Sequence, residues 1–163
     1  MVSMNVLSVD TELLEVFDER IDRVVTRIRS QHSDWRCKMG CDQCCRRLSE
    51  MPRVTQVEWE RIALGIATLP GPIRSEVVAD IERGSAQDGL TVCPLLDQEQ
   101  GACRIYTYRP LACRTYGYYD QRGIGLYCKM IEEDVESGLL VDIVWGSQDS
   151  LEYDLKSLGP LQS

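Results

Sequence analysis

The chain has 163 residues, of which 44% are hydrophobic and 27% are charged; these fractions are ordinary for a folded protein and exclude a disordered or fibrous chain. Its length predicts a single domain over residues 1–163. The formal net charge of -8 argues against nucleic acid as a partner, because binding to the phosphate backbone needs a basic surface.

The sequence contains no stretch of about 20 apolar residues, the length that a membrane-spanning helix needs. Its first residues also lack the basic region and the apolar run of an export signal. We therefore predict a cytoplasmic protein without membrane contact. We also predict a monomer, because the apolar helix faces are sufficient to form its core. In a reducing compartment the eight cysteines are expected to bind metal, whereas a disulfide framework is the alternative in an oxidising one.

Apolar residues recur at three- and four-residue spacing after Asp10, a pattern that is typical of an amphipathic helix. They predict an N-terminal helix over residues 10–31 that ends before the first cysteines. The apolar residues of this stripe are Leu13, Phe17, Ile21, Val24, Val25 and Ile28.

Two further helices are predicted after the first group of cysteines. Thr55 and Glu58 stand at the spacing of a capping box, and the helix that they begin ends at the LPGP sequence of residues 69–72. The next helix starts near Pro72, which suits a first turn, and ends at Gly84.

The remaining half of the chain is predicted to be less regular. Apolar runs flank a polar DQEQG turn and indicate a short β-hairpin that presents Cys93 and Cys103. A short helix, PLACRTYG, carries Cys113, and we interpret the YGYYDQRGIGLY sequence after it as an irregular loop. Leucines after the GSQDS cap predict a C-terminal helix over 147–158. We expect a mainly α fold: a small helical domain in which irregular cysteine-rich loops and a β-hairpin, within a core of residues 34–128, surround one or two metal centres.

The cysteines are the strongest functional signal in the sequence. The stretch CKMGCDQCC holds four of them within residues 37–45, and such short spacings let one loop bring several sulfurs to one metal ion. Adjacent side chains leave the backbone in different directions, so Cys44 and Cys45 are expected to face different centres, unless one of them stays free. Eight thiolates allow two four-sulfur sites, each either a structural zinc or an iron-sulfur cluster. The predicted metal ligands are Cys37, Cys41, Cys44, Cys45, Cys93, Cys103, Cys113 and Cys128.

The spacing of Cys37, Cys41 and Cys44 also occurs in radical S-adenosylmethionine enzymes, in which three sulfurs hold a cluster with one open iron. Those enzymes are barrels of alternating strands and helices. The present chain is too short for such a barrel and lacks the alternation, so we interpret the spacing as coincidental.

The second half of the sequence resembles a known family. The strings CPLL, GACRIY and RPLACRTY, together with the CDQCC that ends the first loop, are similar to the CxxCxxCC (YkgJ-like) cysteine-cluster family. The resemblance runs from Cys37 to about Cys128 and implies a zinc- or iron-chelating domain. It also implies a relation to the metal-binding part of flagellin lysine-N-methylases, and S-adenosylmethionine as a cofactor on that ground alone. The family places two residues between its first two cysteines, whereas three separate Cys37 from Cys41.

Basic and aromatic residues accompany the later cysteines. Arg109 and Arg114 carry fixed donors for sulfur or for a substrate carboxylate, and six tyrosines fall between Tyr106 and Tyr127. Arg114 directly follows a predicted ligand and is the first candidate for a catalytic residue, with Arg109 and Tyr116 beside it. The alternative is that these side chains only cover a small irregular region.

Three functions are compatible with this sequence. The chain is a small iron or iron-sulfur enzyme that modifies a peptide or protein, a structural zinc module that binds a partner, or an iron-sulfur electron carrier. The doubled cysteine and the nearby arginines favour the enzyme. The sequence has no glycine-rich nucleotide-binding motif that would support ATP or NAD chemistry.

Overall fold

The computed structural model describes residues 7–84 and 90–161, with side chains from Glu12 onward. Residues 85–89, which precede the predicted hairpin, lie outside the described residues. The described helices are α1 (Leu7–Gln31), α2 (Gln43–Arg46), α3 (Gln56–Ala67), α4 (Gly71–Arg83), α5 (Leu111–Thr115), α6 (Lys129–Glu136) and α7 (Gln148–Leu155). The described strands are β1 (Leu96–Asp97), β2 (Ala102–Cys103), β3 (Tyr119–Gln121), β4 (Ile124–Leu126) and β5 (Gly146–Ser147).

The predicted fold class, mainly α with short strands, is confirmed by these elements. The N-terminal helix begins three residues before the predicted start at residue 10 and ends at the predicted Gln31. The C-terminal helix is shorter than predicted, because Ser147 is its cap and a 3₁₀ turn, Lys156–Leu158, follows it. Within the described residues, every helix is too short or too polar to cross a membrane.

The first β-hairpin pairs β1 with β2, with Leu96 opposite Cys103. Cys103 therefore lies on a strand as predicted, whereas Cys93 lies in the turn before β1, where its carbonyl oxygen accepts a hydrogen bond from Leu96 N at 3.0 Å. The DQEQG turn closes this hairpin because Asp97 Oδ1 accepts hydrogen bonds from Glu99 N and Gln100 N, both at 3.1 Å.

A second β-hairpin replaces the irregular loop that we predicted for YGYYDQRGIGLY, so that prediction is wrong. Strands β3 and β4 pair with Gln121 opposite Ile124, and β5 adds to β3 in parallel. The two-residue turn has positive φ at both positions, 52° at Arg122 and 75° at Gly123, as a type I′ turn requires. The unfavourable Arg122 conformation is stabilised by Asp149, whose Oδ2 accepts a hydrogen bond from Arg122 N at 2.8 Å.

Two apolar clusters form the core. The first joins α1 to α5, α6, α7 and β3, and the second joins α3 and α4 to Leu95 and Ile105. In α1 the buried stripe includes Leu14, while Leu13, which we placed in it, is 43% exposed. The rest of the predicted stripe keeps its phase, since Phe17, Ile21 and Ile28 are buried. The cysteines lie against both clusters: Cys37 and Cys128 pack on the first, and Cys93 and Cys103 pack on the second.

The capping box predicted at the start of α3 is present and also connects distant parts of the chain. Glu58 is fully buried, and its Oε2 accepts hydrogen bonds from Thr55 N at 2.8 Å and from Thr55 Oγ1 at 3.0 Å. Its other oxygen, Oε1, accepts a hydrogen bond from Leu111 N at 2.8 Å. Because Leu111 is the first residue of α5, this carboxyl group fixes the helix that carries Cys113.

Candidate metal centre

All eight cysteines are reduced and half-buried. Seven of them line one open cleft of about 1970 Å³ between the two apolar clusters: Cys37, Cys41, Cys44, Cys45, Cys93, Cys103 and Cys113. The eighth, Cys128, is the N-cap residue of α6 and is not among the residues that line the cleft. It packs on the first cluster with Cys37. Four separate segments of the chain thus bring their thiols to one region.

Backbone hydrogen bonds hold these segments together. Cys45 O accepts a hydrogen bond from Cys93 N at 2.7 Å, and Leu48 and Thr91 form an isolated antiparallel bridge. Arg46 donates from Nη2 to Gln98 O at 2.8 Å, which joins α2 to the turn of the first β-hairpin. The two cysteines of α2 are therefore tied to the Cys93 segment, although about 50 residues of chain separate them.

One neighbourhood of thiols surrounds Cys37. Burial raises the pKa of the Cys37 thiol to about 12, and the negative charges of Cys41, Cys44 and Cys128 add to this rise. Burial also raises the pKa of Cys41, with further contributions from Cys128 and Cys44. These four thiols therefore lie within electrostatic reach of one another.

A second neighbourhood surrounds Cys113. Burial raises the pKa of this thiol, and the charges of Cys93, Cys44 and Cys103 raise it further. Burial likewise raises the pKa of Cys93 to about 11, and the charge of Cys103 contributes. Cys45 belongs to this side, since Cys93 and Cys113 are the thiols outside α2 that raise its pKa.

The two neighbourhoods meet at Cys44 and Cys45, whose sulfur atoms are 3.9 Å apart. A hydrogen bond from the Cys45 thiol lowers the pKa of Cys44 to about 7, and the same hydrogen bond raises the pKa of Cys45. Cys44 is thus the more acidic thiol of the pair. Its charge acts on thiols of both neighbourhoods, as expected for a residue at their boundary.

The donor set fits a metal that prefers sulfur, since eight thiols are the ligands that zinc and iron-sulfur centres use. Their side chains are further apart than the ligands of a bound metal ion. Among the described residues, no three His, Cys, Asp or Glu side chains converge closely enough to hold a metal ion as they stand. The side chains gather the correct donors, and ligation requires the sulfurs of each neighbourhood to move closer together.

Arg109 is the predicted arginine that faces the thiols. Its guanidinium group lies 3.5 Å from the centre of the Tyr106 ring, and its Nε donates to Tyr106 O at 2.9 Å. From this position its charge lowers the pKa of thiols in both neighbourhoods, among them Cys44 and Cys113. Arg109 can therefore offset the charge of several thiolates.

Arg114, our first catalytic candidate, is bound elsewhere. Its Nη2 donates to Thr107 O at 2.6 Å, and its Nε lies 3.4 Å from Asp18 Oδ1. These contacts fix the turn before α5, so the catalytic role of Arg114 stays a prediction. Tyr116 lies beside the first neighbourhood: burial and the charges of Cys44, Cys128 and Cys37 raise the pKa of its phenol to about 12.

Three residues that the sequence did not single out position Cys37. Arg29 Nη2 donates to Cys37 O at 3.0 Å, and the Tyr118 hydroxyl donates to the same oxygen. Gly117 passes so close to Cys37 that a Cβ atom there would lie 2.6 Å from Cys37 Sγ. Tyr118 lies within the tyrosine-rich stretch of the sequence, and Gly117 is the last residue of the PLACRTYG string that predicts a short helix.

The fold and the site define a small, mainly helical protein with a cluster of eight thiols suited to metal. The chain belongs to the CxxCxxCC family, described as "Putative zinc- or iron-chelating domain", whose model matches residues 36–133. This match includes all eight cysteines, confirms the predicted resemblance and supports metal binding as the activity of the domain. Searches of curated proteins and of solved structures gave no match.

Proposed function

We propose that the chain binds two metal centres, each through four thiolates. The observation that carries this proposal is the separation of the thiols into two neighbourhoods that meet at Cys44 and Cys45. The proposed sets are Cys37, Cys41, Cys44 and Cys128 for the first centre, and Cys45, Cys93, Cys103 and Cys113 for the second.

The packing of the core supports the same division. Cys37 and Cys128 contact the first apolar cluster, whereas Cys93 and Cys103 contact the second. Each proposed centre would thus join the α2 segment to a different half of the core. Since the raised pKa values keep most of these thiols protonated without metal, metal binding should release protons and contribute directly to folding.

Metal analysis of protein purified without air tests this proposal. We expect either two zinc ions per chain or two iron-sulfur clusters with matching sulfide, because both fit four thiolates. Cys128→Ser should lose about half of the metal, and Cys113→Ser the other half, so that the double variant holds none. Circular dichroism checks that each variant is folded.

Met39→Ser is the matched control, since Met39 lies in the same loop as Cys37 and is 60% exposed. Its metal content should equal that of the unchanged chain. If Cys128→Ser and Cys113→Ser each stay folded and lose all metal, a single shared centre replaces the two that we propose.

The open cleft favours a second candidate, a small metalloenzyme that modifies a peptide or protein. A purely structural zinc site is closed to ligands, whereas here thiols of both neighbourhoods and Arg109 border the same cleft. The test is titration of the reduced, anaerobic protein with S-adenosylmethionine, followed by absorption and electron paramagnetic resonance. A spectral change supports the enzyme. Colourless zinc protein that does not respond supports a partner-binding module, and a redox-active cluster that does not respond supports an electron carrier.

A further inference from the structure

We propose that Arg104 forms a binding site for a carboxylate attached to an apolar group, within the cleft that the thiols also line. Arg104 follows Cys103 at the end of β2, and its own backbone N donates to Leu95 O at 2.9 Å. Its side chain is only 18% exposed and lines the cleft. The backbone thus holds a largely buried guanidinium group at the wall of the cleft.

This guanidinium group has unused hydrogen-bond donors. Within the described part of the chain, Arg104 Nε and Nη1 are buried and have no hydrogen-bond partner. The nearest acidic atom, Glu76 Oε1, lies 3.8 Å from Nη2, too far for a hydrogen bond. A largely buried charge whose one acidic neighbour is beyond hydrogen-bond distance is costly, because water no longer solvates it fully.

Other arginines that are buried to a similar degree are well paired. Arg61 donates to Asp18 Oδ2 at 2.7 Å and to Arg109 O at 2.8 Å, and leaves only Nε without a partner. Arg114 donates to the carbonyl oxygens of Thr107 and Arg109. Because Nε and Nη1 of Arg104 are sealed from solvent in this conformation, a ligand in the cleft gains these donors when the guanidinium group turns toward it.

The surroundings of Arg104 indicate the chemistry of that ligand. Helix α4 presents half-buried Ile73 and Ile81 to the same cleft, on the face that carries Glu76. The apolar side chains suit an aliphatic group, and the guanidinium suits a carboxylate or a phosphate. Glu76 disfavours phosphate, because a group of greater negative charge meets stronger repulsion at this distance. Since Glu76 is 60% exposed, it can turn into solvent when a carboxylate arrives.

The class of ligand that fits this chemistry is an apolar amino acid or peptide with a free carboxyl terminus. A role of this site in holding a substrate rests on the proposed enzyme function, whereas binding itself depends only on the cleft. The test is isothermal titration calorimetry on the metal-loaded full chain with three probes: N-acetyl-leucine, N-acetyl-leucinamide and inorganic phosphate. We expect N-acetyl-leucine to bind, and the amide and phosphate to bind at least tenfold more weakly.

Variants locate the site. Arg104→Gln should weaken N-acetyl-leucine binding at least tenfold, while Arg74→Gln, the matched control, should change it less than twofold because Arg74 is exposed on α4 and does not line the cleft. Glu76→Gln, on an exposed side chain, should strengthen binding at least twofold by removing the opposing charge. If Arg104→Gln does not fold, the affinities of Glu76→Gln and of the charge-preserving Arg104→Lys for N-acetyl-leucine show whether the ligand binds at Arg104.

Several results would overturn the proposal: no binding of N-acetyl-leucine, equal binding of its amide, or an unchanged affinity in both Arg104→Gln and Glu76→Gln. Tighter binding of phosphate than of N-acetyl-leucine would replace the carboxylate with a phosphate ligand. Metal content is measured on the same samples, so failure of the two proposed centres would appear there and not in the calorimetry.

Discussion

Glu58→Ala should lower the free energy of unfolding by about 3 kcal/mol, since it removes a buried acceptor of three hydrogen bonds. Thr55 N and Leu111 N would then stay buried without a partner. Because Leu111 begins the helix that carries Cys113, we also expect reduced metal at the second proposed centre. Urea unfolding followed by circular dichroism, together with metal analysis, measures both effects.

Glu60→Ala is the control for this experiment. Glu60 lies in the same helix, and its carboxyl group accepts one hydrogen bond, from exposed Gln56 at 3.3 Å. Its removal should cost less than about 0.5 kcal/mol and leave the metal content unchanged. If Glu58→Ala lowers the free energy of unfolding and the metal content no more than Glu60→Ala does, helix α3 tolerates the removal of Glu58, and this residue does not position α5.

Gly117→Ala should remove metal from the first proposed centre. The φ of Gly117 is +90°, which disfavours any residue with a Cβ atom, and that atom would lie 2.6 Å from Cys37 Sγ and 2.8 Å from Cys37 Cβ. The backbone of Gly117 has little freedom to retreat, because its N–H donates to Leu126 O at 2.6 Å. Cys37 must therefore move, and we expect loss of about half of the bound metal.

Gly138→Ala separates this contact from backbone strain alone. Gly138 has a similar φ of +80°, but a Cβ atom there would meet nothing within 4 Å. It should cost about 1 kcal/mol in unfolding free energy and keep its full metal content. If both variants keep their metal, the close approach of Gly117 to Cys37 has no role in ligand placement.

Local chemistry made parts of this structure predictable. The capping box of Thr55 and Glu58 depends on residues three positions apart, and helix α3 begins there as predicted. The hydrogen bond from Leu111 N to Glu58 was not predictable because it joins segments that are distant in sequence. The β3–β4 hairpin was missed for another reason: its turn contains Arg122 at positive φ, where Asn or Gly is the usual signal.

The candidate site shows the same contrast. Adjacent side chains leave the backbone in different directions, so the sequence predicted that Cys44 and Cys45 face different centres unless one of them stays free. The proposed division at this pair follows the first of these alternatives. Which later cysteine joins which set depends on long-range packing and could not be predicted. Proximity in sequence to Cys113 made Arg114 the first catalytic candidate, and that role stays a prediction. Its guanidinium group binds Thr107 O and Arg109 O, while Arg109 faces the thiols, and these contacts between segments could not be predicted.

The adjacency of Cys44 and Cys45 has a consequence for the order of assembly during synthesis. Both residues leave the ribosome together, but their proposed partners do not, since Cys113 emerges before Cys128 and the whole of α6. Under the proposed division, a nascent chain can complete its second centre while the first still lacks one ligand. That early cross-link shortens the loop which remains to be closed, so the entropy cost of bringing Cys128 to its partners is reduced in advance.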